Sequence, residues 1–144
     1  MRCEEAVRVT SEDGLRFVTD NHRAVLVTQR SGGGLQTSPV TAGADDDGYV
    51  VISSRETAYK VRNLRRDARA TLCIFTDDFF GPWIQIEGDA HVVALPGAMD
   101  GLVDYYRRIS GEHPDWDEYR NVMQQEKRAL IRVSIDKVGP ARAG

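Results

Sequence analysis

Apolar and polar residues alternate along several stretches of the chain, and this pattern predicts a mainly β protein. The candidate strands combine the alternation with β-branched residues and lie at 23–29, 35–41, 49–53, 70–75, 83–93 and 129–138. Turn residues separate most neighbouring runs, and short turns favour antiparallel pairing. We therefore expect an antiparallel sheet of six strands that closes into a small barrel.

Apolar residues at helical spacing predict a minority of short helices beside this sheet. Thr10 and Asp13 form a capping-box pattern, which begins a helix that ends near Asn21. Further helices are predicted within 55–69, at 96–108 and from Asp115 through Met123. The expected fold class is therefore mainly β with minor α, the helices flanking the barrel.

Three positions are expected to interrupt or end the strands. Pro39 cannot donate a backbone hydrogen bond, so it should mark an edge, a bulge or a strand end where backbone is free for a ligand. Gly88 is expected to form a β-bulge. Residues 139–144 are expected to be loose beyond the last strand.

The composition is that of a globular protein. The chain has 144 residues, of which 41% are hydrophobic and 28% charged, and we expect residues 1–144 to form a single domain. No segment approaches the roughly 18 consecutive apolar residues that a membrane span requires. Acidic residues stand near the N-terminus, where a secretory signal would need an apolar run, and this favours a cytoplasmic protein.

Charge and cysteine content narrow the classes of partner. A net charge of −3 gives no electrostatic reason to expect nucleic acid across the whole surface. Cys3 and Cys73 are too few for a disulfide framework or a zinc site, and Cys73 is interpreted as a small core residue. We expect no metal site.

Positive charge is concentrated in residues 55–69, where six basic residues face two acidic ones for a local charge of +4. If a helix begins here through Ser53, Ser54 and Thr57, its N-terminus is a candidate cradle for a phosphate or carboxylate. Two other interpretations stay open. The arginines can form a solvated helix face, or they can bind nucleic acid or an acidic protein.

The sequence contains no recognisable catalytic motif. His22, His91 and His113 lie outside any nucleophile pattern, and Glu87 is at an alternating strand position where carboxylates are usually solvated. The glycines at 32–34 precede a strand, which argues against a dinucleotide-binding α/β fold. An anion site without acid–base residues suggests that a bound cofactor supplies the reactivity.

Four segments carry a family resemblance: SRETAYKVRNLRRDARATL, PWIQIEGDAHVV, YYRRISGEHPDWDEYR and KRALIRVSIDKV. Together they resemble the pyridoxamine 5'-phosphate oxidase-like split β-barrel family, and within it the actinobacterial branch that uses the deazaflavin coenzyme F420. The resemblance covers about residues 21–138. It implies a six-stranded antiparallel split β-barrel and a homodimer, with a flavin or deazaflavin in a groove between the subunits.

The same resemblance implies a set of cofactor-binding residues. Lys60 and Asn63 match residues that hold the phosphate or tail of the cofactor. Similar sequences have an arginine two positions before this lysine, where this chain has Ala58, and Arg55 is the candidate to take the role of that arginine. Ser53 and Ser54 match the strand end that lines this pocket, and Ser38, Pro39 and Val40 match the strand that passes beside the ring. Trp83 and Gln85 match the strand that faces the ring from the partner subunit, and Arg128 matches a basic residue near the phosphate.

Structural roles remain open for several of these residues. Trp83 can fill the core, and the arginines at 62, 65 and 66 can be solvated or can meet an oligoglutamate tail. The aromatic residues of the last two helices are interpreted as core or dimer packing: Tyr105, Tyr106, Trp116 and Tyr119.

The expected function is hydride transfer from reduced F420 to a small organic acceptor, with Lys60 fixing the cofactor, Trp83 shaping the acceptor pocket and no side chain acting as a catalyst. The alternatives are an FMN-binding oxidase or reductase of the same fold and a non-enzymatic cofactor carrier.

Overall fold

The computed structural model describes residues 9–143, which form four helices and seven strands. In chain order these are α1 (Ser11–Asp20), β1 (Arg23–Gln29), β2 (Leu35–Ala44), β3 (Val50–Arg55), α2 (Tyr59–Arg66), β4 (Arg69–Phe75), β5 (Pro82–Val93), α3 (Met99–Ser110), α4 (Trp116–Gln125), β6 (Arg128–Val133) and β7 (Lys137–Ala143).

Six of the strands close into an antiparallel barrel. They pair in the order β4, β1, β2, β3, β6 and β5, and β5 returns to pair with β4. β7 lies outside this ring and pairs with β5. The predicted mainly β fold, a six-stranded antiparallel split barrel with flanking helices, is therefore confirmed.

Two long strands, β2 and β5, pass from one half of the barrel to the other. β2 pairs with β1 over residues 35–41 and with β3 over 42–44. β5 pairs with β4 over 83–89 and with β6 over 90–93. Pro39 lies in the part of β2 that faces β1 on one side and, among the described residues, no strand on the other, so the expectation of an edge position is confirmed.

Strand alternation fills the barrel with branched apolar side chains. Leu26, Ile52, Leu72, Ile86 and Ile131 come from five different strands, and each is completely buried. Burying a side chain of this size contributes about 1.5–3 kcal/mol. A second apolar cluster, which includes Leu102, Tyr119, Met123 and Leu130, fixes α3 and α4 against the outside of β3 and β6.

The C-terminal part of the chain differs from the prediction in two ways. The strand expected at 129–138 ends at Val133, and residues 139–143, which were expected to be loose, instead belong to β7. Gly144 lies outside the described residues. The irregularity expected at Gly88 lies between Ile84 and Ile86, opposite β7. Gly88 has another role, because a Cβ there would stand 1.6 Å from the carbonyl oxygen of Ser134. The glycine therefore allows the segment between β6 and β7 to pass directly over β5.

Cys3 lies outside the described residues. Cys73 is half-buried on β4 rather than in the core, because the alternation of that strand directs Leu72 and Ile74 inward. Between residues 9 and 143, no helix has the length and apolar character needed to cross a membrane.

Candidate functional site

A cavity of about 730 Å³ lies where α2, α3 and α4 meet the strands of the barrel. We call it the tyrosine cavity because three tyrosines contribute to its wall. Its lining consists of Arg23, Ala24, Pro39, Val40, Thr41, Ser53, Lys60, Phe75, Tyr105, Tyr106, Tyr119, Met123 and Arg128. The volume is within the usual range of ligand pockets, about 300–1,000 Å³.

Positive charge is in excess at one side of the tyrosine cavity. Burial lowers the pKa of Lys60, and repulsion from the Arg128 guanidinium lowers it further. Across residues 9–143, the Lys60 ammonium has no hydrogen bond or ion pair with a protein group. An amine in this setting would be stabilised by a bound anion.

A single carboxylate serves the two arginines beside Lys60. Arg128 donates to Glu126 at 2.8 Å, and Arg55 lies 3.6 Å from the same carboxylate oxygen. The hydrogen bond from Arg128 is the main reason that the pKa of Glu126 is lowered. Arg55 and Arg128 are brought together because they are direct partners in the pairing of β3 with β6. Two arginines therefore share one carboxylate, and Lys60 beside Arg128 adds a further positive charge, which leaves the site with a positive surplus.

The groups expected to bind an anion here were the N–H groups of a helix N-terminus, but the structure places side chains at the cavity instead. Ser53 and Ser54 belong to β3, and α2 begins only after Ala58, which makes no side-chain cap. Successive strand residues point to opposite faces, so Ser53 lines the cavity while Ser54 is buried and its hydroxyl donates to the Arg55 carbonyl oxygen at 3.2 Å. The helix therefore begins later than predicted, so that Ser53 reaches the cavity from a strand and Lys60 from the first turn of α2. An anion site at this place stays a prediction.

Two tyrosines of the cavity wall are anchored by their hydroxyl groups. The Tyr105 hydroxyl donates to the Thr41 carbonyl oxygen at 2.8 Å, and the Tyr119 hydroxyl donates to the Leu102 carbonyl oxygen at 2.7 Å. Burial raises the pKa of both groups, that of Tyr119 to about 12. Both phenols therefore stay neutral at physiological pH and hold α3 and α4 in place.

The tyrosines were assigned to packing from the sequence, and Tyr119 is indeed buried in the cluster between α3 and α4. Their second role as cavity wall was missed, because it depends on how the two helices are placed against β2 and β3. Arg23, Thr41 and Phe75 were also missed. The only signal in the sequence was their position at strand ends.

The structure brings together five of the eleven residues that were expected to bind a cofactor: Pro39, Val40, Ser53, Lys60 and Arg128. Arg55 lies next to them through Glu126. Five others do not line this cavity: Ser38, Ser54, Asn63, Trp83 and Gln85.

Trp83 and Gln85 nevertheless share a surface with the cavity. Trp83 is the direct cross-strand partner of Phe75, which lines the cavity, and Gln85 pairs with Cys73 in the same way. Partners in register point to the same face of a sheet. Neither residue is buried, so both lie on the outer face of the barrel, next to the cavity rather than inside it.

Asn63 is directed elsewhere, although it stands only three residues after Lys60. Its side-chain amide donates to the Thr28 hydroxyl at 3.1 Å and to the Gln36 side-chain oxygen at 2.8 Å. Both donor hydrogens are thus used within the protein, and Asn63 lines a different, smaller cavity.

The histidines contribute no catalytic group to the tyrosine cavity. His22 is hydrogen-bonded to the Ala42 carbonyl oxygen at 2.8 Å, and the His113 ring accepts the Asp115 N–H at 2.9 Å. Within the part of the chain that the structure describes, no group of three or more His, Cys, Asp or Glu side chains could hold a metal ion. The cavity can therefore bind and orient an anionic ligand, but its side chains offer no acid–base pair.

Solved structures of other proteins share this fold. A conserved hypothetical protein from Mycobacterium tuberculosis is 20% identical with a TM-score of 0.75, over 96% of this chain and 88% of the other. A protein described as an F420 reductase is 16% identical with a TM-score of 0.65, over 86% and 94%. HutZ, the heme storage protein of Vibrio cholerae, is 14% identical with a TM-score of 0.70, over 96% and 98%.

At these identities the likeness shows the fold alone. The sequence match is more specific, since the model of the pyridoxamine 5'-phosphate oxidase family covers residues 11–140, nearly the whole chain. The chain therefore belongs to the pyridoxamine 5'-phosphate oxidase family.

Proposed function

We propose that this protein is an oxidoreductase that binds coenzyme F420 in the tyrosine cavity and passes a hydride from the reduced deazaflavin to a small organic acceptor. One observation carries the proposal: Lys60 faces the cavity beside Arg128 and, among the described residues, has no protein anion as its partner. An acidic cofactor end supplies that partner.

The lining of the cavity is suited to a ligand with one charged and one planar end. Lys60, Arg128 and Ser53 lie on one side and offer charged or hydroxyl donors to a phosphate. Pro39, Val40 and Phe75 supply apolar walls for a ring system. A volume of about 730 Å³ has room for a cofactor of this size class.

When bound, the deazaflavin supplies the hydride chemistry. The residues of this chain would bind and orient it: Lys60 and Arg128 would hold the anionic end, and Pro39 and Val40 would line the planar part. Tyr105 and Tyr119 exclude water from the wall without donating protons, because their hydroxyl groups are already engaged. No side chain is assigned an acid or base role.

F420 is preferred to FMN because the sequence resembles the F420-dependent branch of the family. The fold does not separate the cofactors, because the F420 reductase shares it with the heme storage protein. An FMN-dependent oxidase or reductase and a non-enzymatic carrier need the same cationic pocket, so the choice between them is made by experiment.

We further propose that a homodimer completes the site. The outer face of β1, β4 and β5 carries half-buried apolar residues next to the cavity, including Val25, Cys73 and Trp83. A second copy packed on this face would shield those residues and bring Trp83 and Gln85 of one subunit towards the cofactor of the other. The acceptor would then enter between the subunits.

Parallel titrations of the purified protein with F420, FMN and heme test this proposal, with tryptophan fluorescence and cofactor absorbance as readouts. We expect saturable binding of F420, tighter than that of FMN, followed by acceptor-dependent loss of reduced F420 in a screen of quinones and other planar acceptors. Tighter FMN binding would assign the FMN alternative. Binding of F420 with no acceptor that speeds its reoxidation would leave a carrier.

A further inference from the structure

We propose that a second cavity, on the other side of α2, is an anion-binding site for a small molecule that carries a diphosphate group. This basic cavity has a volume of about 330 Å³ and is lined by Arg30, Ser31, Gln36, Tyr59, Arg62, Asn63 and Arg66. It shares no lining residue with the tyrosine cavity, so it is a separate site from the one proposed for the cofactor.

Three guanidinium groups meet at the basic cavity without a carboxylate in its lining: those of Arg30, Arg62 and Arg66. The acidic residues nearest to them in sequence are already paired. Glu56 is bound by Arg65 at 2.7 Å, and Asp67 is bound by Arg69 at 2.9 Å. Within residues 9–143, none of the three cavity arginines forms an ion pair. The charge of Asp67 also acts on Arg66, so the uncompensated positive charge is that of Arg30 and Arg62. The chain carries a net charge of −3, so this charge is a local feature rather than a general excess of positive charge.

Helical geometry explains how the cluster forms. Tyr59, Arg62, Asn63 and Arg66 are spaced by three or four residues and therefore share one face of α2, while Val61 and Leu64 face the core. Arg30 and Ser31 come from the turn between β1 and β2. In that turn Gly33 has a φ of +91°, a backbone conformation that glycine adopts without strain.

A buried hydrogen-bond network holds one of the arginines in position. Asn63 is only 7% exposed, and its amide donates to Thr28, which is 1% exposed. The Asn63 side-chain oxygen accepts a hydrogen bond from Arg66 at 3.2 Å, and Arg66 also donates to the backbone carbonyl oxygen of Gln29. A side chain fixed in this way loses little conformational entropy when a ligand binds.

The number of guanidiniums selects the class of ligand. A guanidinium with free N–H groups can form a bidentate contact with two oxygens, and a phosphate monoester has three terminal oxygens. Arg30 and Arg62 are therefore enough for one phosphate. The Nη2 group of Arg66 is already used by Gln29 and Asn63, so Arg66 offers its remaining N–H groups as single donors to a second phosphate beside the first. The Tyr59 ring is 69% exposed at the rim, with Arg62 stacked 5.8 Å from its centroid, and it offers a surface to the organic part of the ligand.

Titration of the full-length protein with inorganic pyrophosphate, followed by residue-resolved ¹H–¹⁵N spectra and calorimetry, tests the proposal. We expect saturable shifts of the amide signals of residues 30–31 and 59–66. The variant Arg62→Gln should bind pyrophosphate at this site about tenfold or more weakly, since it loses one charge-assisted contact. Arg62 is exposed, and within residues 9–143 its guanidinium has no interaction besides the one with the Tyr59 ring, so its replacement should leave the fold intact.

The variant Arg16→Gln is the matched control, because it removes the same charge from an exposed residue on α1, outside the basic cavity. It should bind pyrophosphate as the unmodified chain does. Equal weakening by both variants would overturn the proposal, since it would show a response to net charge alone. Shifts around Lys60 and Arg128 that leave the amide signals of residues 30–31 and 62–66 unmoved would overturn it as well, and so would the absence of saturation.

Discussion

Lys60 and Asn63 lie less than one turn apart on α2, yet they line two different cavities. The resemblance to known sequences suggests that both hold the cofactor. In the structure, Lys60 faces the tyrosine cavity, whereas the Asn63 amide is occupied by Thr28 and Gln36. The short helix thus separates two groups of positive charge, and each can be tested without disturbing the other.

Replacing Lys60 by alanine should weaken F420 binding by about 1–3 kcal/mol, because a charge-assisted hydrogen bond to the anionic end is lost. The fold should remain intact, since the ammonium makes no hydrogen bond or ion pair within residues 9–143. Fluorescence titration gives the two dissociation constants.

Lys137→Ala is the control for this change, because Lys137 is an exposed lysine whose one ion pair in the described part of the chain is a contact of 3.9 Å with Glu87. It should bind F420 with unchanged affinity. If Lys60→Ala also binds with unchanged affinity, Lys60 does not belong to the cofactor site.

The affinity for the cofactor should begin to fall at a lower pH than it would if Lys60 had the pKa of an ordinary lysine. Only the ammonium form of Lys60 attracts an anion, and burial together with Arg128 lowers its pKa below the usual value of 10.5. Affinity is therefore complete at pH values below the lowered pKa and is lost as the pH rises through it. Dissociation constants measured from about pH 7 to pH 10 should show this decline.

The variant Lys60→Arg should remove the alkaline decline, because a guanidinium keeps its charge over the whole range. Its affinity at neutral pH should be within about tenfold of the original, since an arginine can still reach an anion but with a different geometry. An identical decline in this variant would mean that another group causes the pH dependence.

The elements of the barrel could be predicted from the sequence because they depend on local patterns. The capping box of Thr10 and Asp13 is present, with reciprocal hydrogen bonds of 3.2 and 2.9 Å. The alternating runs form the strands that close the barrel. β7 escaped prediction because it contains Gly139 and Pro140 and lacks the alternation, and it adds to an edge of β5 that only tertiary structure reveals.

The site could be predicted only in part, for a related reason. Lys60 and Pro39 were found because each has a local property, a charge or a missing N–H, that suggests ligand contact. Arg55 and Arg128 share Glu126 only because β3 and β6 pair in one particular register, and Tyr105 reaches Thr41 across a separation of 64 residues. Such contacts depend on the closure of the barrel, which no local pattern encodes.

The substitution Tyr119→Phe should lower the free energy of unfolding by about 1 kcal/mol, because it removes a buried hydrogen bond. The Tyr119 hydroxyl donates to the Leu102 carbonyl oxygen and joins α4 to α3, and the residue is only 6% exposed. Urea denaturation monitored by circular dichroism measures the change. Tyr59→Phe is the control, since Tyr59 is 69% exposed and should tolerate the loss of its hydroxyl without a measurable effect.

The substitution Gly88→Ala should be much more damaging than its size suggests. The added Cβ would lie 1.6 Å from the Ser134 carbonyl oxygen, which is backbone and cannot rotate away. Either β5 or the segment leading to β7 must move, and we expect a loss of at least about 3 kcal/mol of unfolding free energy, the upper part of the range for overpacking.

Gly97→Ala is the control, because its Cβ would meet no atom closer than 3.5 Å. That variant should unfold within about 0.5 kcal/mol of the original protein. Equal stability of the two variants in the same denaturation experiment would mean that the chain does not cross β5 at Gly88, and β7 would then have to pair elsewhere.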